Sequence, residues 1–431
     1  MEGIIKKITG EIIIPKPKIV EVRDEVKNIS SFKEKIESYL DSPVTELLYI
    51  ILAGAIILES SDVHIEPEEK KIKIRVRIDG ILQDVLFFDF EIYKTLLSRI
   101  KLLSGIKLNI FDRPQDGRFS VLIEDLPLEI RASTLPAEYG ESVVLRILNP
   151  KSLIELEALG LKKGLLEMVE KEIKRPNGMI VVTGPTGSGK TTTLYAFLKK
   201  VRKPEIKIIT IEDPIEYHLE GVSQTQVTSE KGYDFASGLK SIMRQDPDVI
   251  LVGEIRDLDT VNTALQAALT GHLVFSTLHT NDAAGTIARL TSLGAKVSNI
   301  APALNMVVAQ RLVRKVCEYC KKTEKVTPQD LEKLKVELKS LKIKGLSKNT
   351  EIPRAVGCKE CNFTGYRKRI GVFEIFLIND EIEKFILKNP PIPEVKQLAI
   401  NNGMITMKQD GFLKVLEGIS TIEEVERVAG E

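Results

Sequence analysis

Hydrophobic and polar positions along the chain follow two different rhythms. "KIKIRVRIDGILQDVLFF", residues 71–88, alternates with a period of two around Asp79-Gly80, which predicts a half-buried hairpin. "GRFSVLIEDLPLEIRASTL", residues 117–135, is strand-like around a turn in the same way, and "ESVVLRIL" adds another strand before Pro150. Helices are expected near residues 31–40, over 44–58 and over 92–105. The second of these, "VTELLYIILAGAIIL", is apolar for 15 residues apart from Glu46. A bilayer span needs about 20, so it reads as a buried helix. Further on the alternation stops. "GMIVVTG", "KIITIED", "DVILVGE" and "HLVFSTLHT" are continuous short apolar runs, each ending in Gly, Asp, Glu or His. Strands of a parallel sheet covered on both faces have this texture, with reactive groups at their carboxyl ends.

The expected organisation is a charged, Pro-punctuated segment 1–40, an α+β domain 41–150, a P-loop α/β domain 151–308, a cysteine-bearing segment 309–375 and a helical tail 376–431. No internal repeat is seen. Lys+Arg 62 against Asp+Glu 61 leaves a net charge of +1, so no global field draws nucleic acid or anionic lipid. A charged fraction of 29% without Trp resembles the surface chemistry of thermophile proteins. The N-terminus lacks the apolar region of a secretion signal, and the chain is expected to be soluble and cytoplasmic.

The chemistry concentrates in a few stretches. "GPTGSGKT" matches G-x-x-x-x-G-K-[ST] between an apolar strand and a helix-compatible run. Gly184, Pro185, Thr186, Gly187, Ser188, Gly189, Lys190, Thr191 and Thr192 are therefore expected to cradle the phosphates of ATP. Backbone N–H groups and the helix N-terminus supply positive potential, Lys190 bridges the β- and γ-phosphates, and the Thr191 hydroxyl holds Mg²⁺. "TIEDPIE" places Glu212 at a strand end, where a carboxylate faces the metal or the attacking water; two turn-forming acids are the plainer alternative. "DVILVGEIRD" ends in Gly253 and Glu254 rather than Asp, which favours Glu254 as the group that polarises water over direct metal ligation by this strand. His279 follows a buried strand together with Thr277 and Thr280, a position suited to sensing the γ-phosphate. Arg113 and Arg118, with Arg131 and Arg146 beyond, read by default as a solvated face. The central domain shows no obvious arginine finger, and these residues are candidates to supply that charge. All four cysteines fall in two C-x-x-C pairs, Cys317/Cys320 and Cys358/Cys361, with 37 residues between them. Four thiolates make a structural Zn²⁺ site with no open position, and "TPQDLEKLKVELKSLK" between them is expected to be a helical excursion.

Taken in order, these motifs resemble the secretion ATPase superfamily, the assembly motors of type II secretion and type IV pili. The resemblance runs from about residue 43 to the C-terminus. It includes "SSDVHIEP", "RIDG", "RPQDGR", the Walker A loop, "TIEDPIE", "VGEIRD", the His box, "RLVRKVCEYC" and "GCKECNFTGYRKRIGVFEI". It implies a RecA-like P-loop domain preceded by a smaller PAS-like domain, in a hexameric, Mg²⁺-dependent ATPase. Nucleotide then lies between the two domains, with Arg113, Arg118 and Arg131 of the smaller one closing on the phosphates. Glu212 and Glu254 match the family's acidic site positions, and His279 its His-box position. The resemblance also implies partners, an inner-membrane platform and docking proteins, and peripheral placement at the inner membrane through them. The tetracysteine segment points to secretion or pilus assembly rather than retraction. Type II secretion is preferred and pilus extension is the alternative. A nucleic-acid motor of RecA-like fold is more distant, because no basic tract with stacking aromatics is present. Only about 40 residues precede the matching part, so the family's docking region is expected to be reduced or cut away.

Overall fold

The computed structural model describes residues 10–124, 126–149, 154–343 and 345–430. The expected boundary at Pro150 and the first nine residues of the 1–40 segment lie outside them. The chain forms two compact units, Met1–Pro150 with Val356–Arg367, and Lys151–Ala355 with Lys368–Glu431.

The first unit runs β1 (Glu11–Ile13), α1 (Lys16–Glu25), α2 (Ile29–Glu37), α3 (Val44–Ile57), β2 (Asp62–Pro67), β3 (Ile72–Ile78), β4 (Ile81–Phe88), α4 (Phe90–Ser104), β5 (Gln115–Ile123), β6 (Leu126–Ala137) and β7 (Gly140–Leu148). One seven-stranded sheet has the order β1-β5-β6-β7-β2-β3-β4. The β3–β4 hairpin closes where the alternation pivots. Asp79 and Gly80 both have positive φ, 51° and 84°, as a two-residue type I′ turn requires. α3 is buried at Leu47, Leu48 and from Ile50 to Ala55, as its apolar run demands. The described residues of the segment read in sequence as separate, 10–40, are part of this body. β1 pairs in parallel with β5, and Ile12, Ile14, Ile19, Val22, Phe32 and Ile36 belong to the same core as α3 and the sheet. The helix expected near 31–40 is α2, started by Asn28, whose side chain accepts from the Ser31 N–H in a reciprocal cap.

The second unit opens with α5 (Lys163–Glu172), β8 (Gly178–Thr183), α6 (Lys190–Val201), β9 (Ile208–Glu212), β10 (Ser223–Gln226), α7 (Phe235–Ile242), β11 (Val249–Val252), α8 (Leu258–Leu269), β12 (Leu273–Leu278), α9 (Gly285–Ser292) and α10 (Val297–Ala303). It continues with β13 (Leu304–Val316), β14 (Lys322–Lys325), α11 (Pro328–Glu337), β15 (Glu351–Arg354), β16 (Tyr366–Leu377), α12 (Asp380–Ile386), α13 (Ile392–Asn401), α14 (Met407–Leu416) and α15 (Ile422–Ala429). A second seven-stranded sheet has the order β10-β9-β11-β12-β8-β13-β16, and the pairs from β10 to β13 are parallel. Its interior strands β8, β9, β11 and β12 are largely apolar because both faces are covered. Met179 and Val181 of β8 join one core, and Ile180 and Val182 join the other. β11 divides in the same way, with Ile250 and Val252 on one side and Val249 and Leu251 on the other. This is a RecA-like α/β layer, closed on one side by the C-terminal helices. The strands that flank the cysteine segment, β13 and β16, are the last two in the order of the main sheet. Among the described residues no helix is long and apolar enough to cross a membrane.

Candidate active site

The loop after β8 has the shape its glycines allow. Gly184 takes φ 150°, and a Cβ there would lie 2.6 Å from the Gln310 carbonyl oxygen, so only glycine fits against β13. Gly189, in the left-handed region, starts α6, and the free N–H groups of that first turn face the loop. The Lys190 ammonium donates to the carbonyls of Gly184, at 2.8 Å, and Pro185, at 3.1 Å. Burial first, and the Arg311 charge second, pull its pKa down to about 8 against an opposing pull from Glu254. Gln310, buried on β13, donates from Nε2 to the Ser188 carbonyl at 2.7 Å and so braces the loop from behind.

The carboxyl ends of the neighbouring strands bring the acids and the histidine together. Glu254, two residues past β11, accepts a hydrogen bond from Arg256, whose other terminal nitrogen lies 3.8 Å from Asp213. His279, one residue past β12, has Nε2 3.9 Å from a Glu254 oxygen. Burial and then the Lys190 charge lower the His279 pKa, with Glu254 pulling the other way. Thr277 donates to the Gly253 carbonyl at 2.7 Å. The Thr183 hydroxyl donates to the Leu278 carbonyl and accepts from the Thr280 N–H, at 3.1 and 2.9 Å. These bonds lock the His279 segment to both the P-loop strand and the Glu254 strand. Asp257 turns away to cap α8 through the Thr260 N–H at 2.8 Å. His272 sits at the opposite end of β12, with its ring Nδ1 3.0 Å from the Ala267 carbonyl oxygen.

Glu212 is buried at the end of β9. It takes hydrogen bonds from the Tyr195 hydroxyl, from Thr210 Oγ1 at 2.6 Å and from Gln224 Nε2 at 3.2 Å. Burial raises its pKa, and these three donors oppose the rise. A carboxylate has about four acceptor positions, so roughly one is left for another partner. Tyr195, Gln224, Gln310 and Thr183 had not been singled out in sequence. For Gln310 the signal available was a polar residue inside an apolar strand, as in "VVAQRLV".

The arginines belong to the first unit. Arg113 is exposed on the loop before β5. Arg118 on β5 is paired across the ladder with Arg131 on β6, and Arg131 with Arg146 on β7. Directly paired residues share a face, so one row of the sheet carries three guanidinium groups side by side. Asp62 on β2 continues the row, 2.9 Å from Arg146 and 3.4 Å from Arg77, and Glu129 lies 3.3 Å from Arg131. These acids offset the like-charge repulsion.

The four cysteine sulfurs all lie within 4.8 Å of one another. Cys358 and Cys361 Sγ are 3.8 Å apart, far beyond a disulfide bond but equal to the edge of a tetrahedron built on bonds of about 2.3 Å. Cys361 Sγ also accepts from the N–H groups of Cys358 and Gly365, at 3.2 and 3.3 Å, which suits a thiolate ligand. The residues fit a four-thiolate metal site. Between the pairs, β14 and β15 form an antiparallel ladder from Lys322↔Arg354 to Lys325↔Glu351, and α11 is the excursion beyond it.

A P-loop at the carboxyl end of an interior strand of a RecA-like sheet, with a glutamate and a histidine on adjoining strand ends, defines a P-loop ATPase. The family model for the Type II/IV secretion system protein matches residues 37–427, and the chain belongs to that family. It is 43% identical over 409 residues to the type II secretion system protein E of Pectobacterium carotovorum subsp. carotovorum, covering 94% of this chain and 80% of that one. It is 40% identical over 397 residues to the type IV pilus assembly ATPase PilB of Thermus thermophilus, covering 91% of this chain and 44% of that one. Among solved structures, the pilus retraction motor PilT with bound ADP superposes with a TM-score of 0.59 at 29% identity, over 88% of this chain and 95% of that one.

Proposed function

We propose that this chain is the cytoplasmic motor of a type II secretion system, a hexameric ring that hydrolyses ATP to drive pseudopilus assembly and protein export. The observation that carries this reading is the meeting of Lys190, Glu254 and His279 at the ends of β8, β11 and β12, close enough for Glu254 to act on Lys190 and for both to act on His279. In this reading the backbone of Gly184–Thr192 cradles the phosphates and Lys190 turns from its two loop carbonyls to the β- and γ-oxygens. Glu254 polarises the attacking water, and His279 with Thr280 reads the γ-phosphate. The Thr191 hydroxyl and the remaining acceptor position of Glu212 would hold Mg²⁺, which neutralises charge developing on the phosphate oxygens. Arg113, Arg118 and Arg131 supply cationic charge from the smaller domain. Coupling passes to an inner-membrane platform and docking proteins, placing the ring at the membrane periphery. The test is ATP turnover against oligomeric state, by light scattering over a concentration series with Mg²⁺. Turnover that rises with ring formation is expected; turnover independent of assembly overturns the ring motor.

The similarity to the Thermus thermophilus pilus assembly ATPase supports a second reading, pilus extension, with the same chemistry. Complementation separates the two: restored secretion in a strain lacking its type II motor favours the first, and restored piliation in a strain lacking its extension motor favours the second.

The site makes a proton prediction. With Lys190 near 8, about half the ammonium groups are deprotonated at pH 8. Phosphate oxygens favour the charged form and raise that pKa, so binding takes up a proton. ATP binding at pH 8 is expected to absorb roughly half a proton, and at pH 6.5 nearly none from this group. Calorimetry in two buffers of different ionisation enthalpy reads it directly.

We assign Zn²⁺ to the four cysteines, in a structural role that leaves no coordination position for catalysis. Cys361→Ser is expected to lower bound zinc from one per chain to almost none by atomic absorption. It is also expected to reduce the melting temperature by roughly 5–10 °C, because metal binding is coupled to folding of the segment.

A further inference from the structure

The turn after His279, residues 280–283, is held by side chains from three other elements. Arg311 on β13 donates from Nη2 to the Asn281 carbonyl at 3.1 Å. Lys396 on α13 lies 2.9 Å from Asp282 Oδ2, while Asp282 Oδ1 accepts from the Gly285 N–H. Glu374 on β16 accepts from the Ala283 N–H at 2.9 Å. The other Glu374 oxygen accepts from the N–H of Met407, the first residue of α14, at 3.4 Å. That N–H is one of the donors a helix start leaves without an intrahelical partner. Glu374 is 2% exposed. A carboxylate so buried is costly unless its acceptors are used, and here they are spent on two segments 124 positions apart, residues 283 and 407.

We propose that Glu374 is a positioning residue that ties the phosphate-sensing turn to the start of α14, carrying the state of the site to the C-terminal helices. The proposal rests on reading His279 and Thr280 as the groups that meet the γ-phosphate. One rigid carboxylate bridges both segments, so a shift of the turn at one oxygen is passed on at the other. The Asp282–Lys396 pair passes the same shift to α13. A glutamine at 374 keeps the shape but has a single acceptor oxygen, because its amide nitrogen cannot accept; it can hold one segment and not both.

Hydrogen–deuterium exchange, with and without Mg²⁺ and a non-hydrolysable ATP analogue, tests this on the full chain. In the wild type both 279–285 and 404–410 are expected to gain protection. In Glu374→Gln the first gain persists, the second is lost, and kcat falls roughly tenfold while analogue affinity stays within about twofold. A 404–410 response that survives the substitution, or that is missing from the wild type, overturns the proposal. If Glu374→Gln does not fold, Lys396→Met cuts the tie from the more exposed side. Loss of the response in 392–401 then supports the proposal, and its retention overturns it. His279→Ala separates the underlying reading. Wild-type turnover in that variant removes His279 from phosphate sensing, whereas the exchange result at 404–410 decides the role of Glu374 independently.

Discussion

Lys190→Ala is expected to lower kcat/KM for ATP by roughly 10²–10³, with the melting temperature within a few degrees of the wild type. The size follows from what the ammonium does. It is the cationic donor of the loop, partly withdrawn from water, and it is aimed at the place where phosphate charge develops. Removing one such preorganised donor costs about 2.7–4 kcal/mol in comparable sites. The fold is expected to tolerate the change because the hydrogen bonds of Lys190 go only to Gly184 and Pro185, within its own loop. Alanine is also the best helix former at the start of α6. Steady-state turnover, nucleotide binding and a thermal melt on the same preparation check all three parts. A loss smaller than tenfold with intact binding would remove Lys190 from the chemistry and leave the backbone cradle to carry it.

The phosphate loop and the strands around it were legible because local rules decide them. An apolar run covered on both faces reads as a parallel strand, and the glycine spacing is dictated by backbone shape at Gly184 and Gly189. The hairpin at Asp79-Gly80 was legible for the same reason. What sequence did not reveal depends on partners far along the chain. β1 is three residues long and finds β5 more than a hundred positions later, so no local pattern distinguishes it from a loose terminus. Glu374 lies within an apolar strand that reads only as core, and its two partners come from separate segments. The arginines show a mixed case. Their charge was visible, but the pairing of Arg118, Arg131 and Arg146 in one row needed the register of three strands. For the cysteines the spacing suggested a metal site, and the β14–β15 ladder supplies the physical reason that 37 intervening residues do not keep the pairs apart.

The choice between the two glutamates gives the second large effect. Glu254→Gln is expected to reduce kcat roughly 10²–10³-fold while ATP affinity changes by no more than a few fold. Glutamine has the same shape and still accepts from Arg256, so the strand end is retained; only the charge and basicity are lost. Glu254 is the better candidate because its side chain is 20% exposed, open to an attacking water. Glu212 is 3% exposed with its oxygens mostly committed to Tyr195, Thr210 and Gln224. The substitution has a second, independent signature. Glu254 pulls the His279 pKa up while burial and Lys190 pull it down, so removing the carboxylate lets it fall further. An NMR titration of the imidazole is expected to show that decrease, a readout that does not depend on turnover. A fall in kcat with the titration shift ties both residues to one phosphate-facing site. Unchanged kcat in Glu254→Gln would transfer the role of base to Glu212, whose raised pKa and buried donors would then need to be read as tuning for proton transfer.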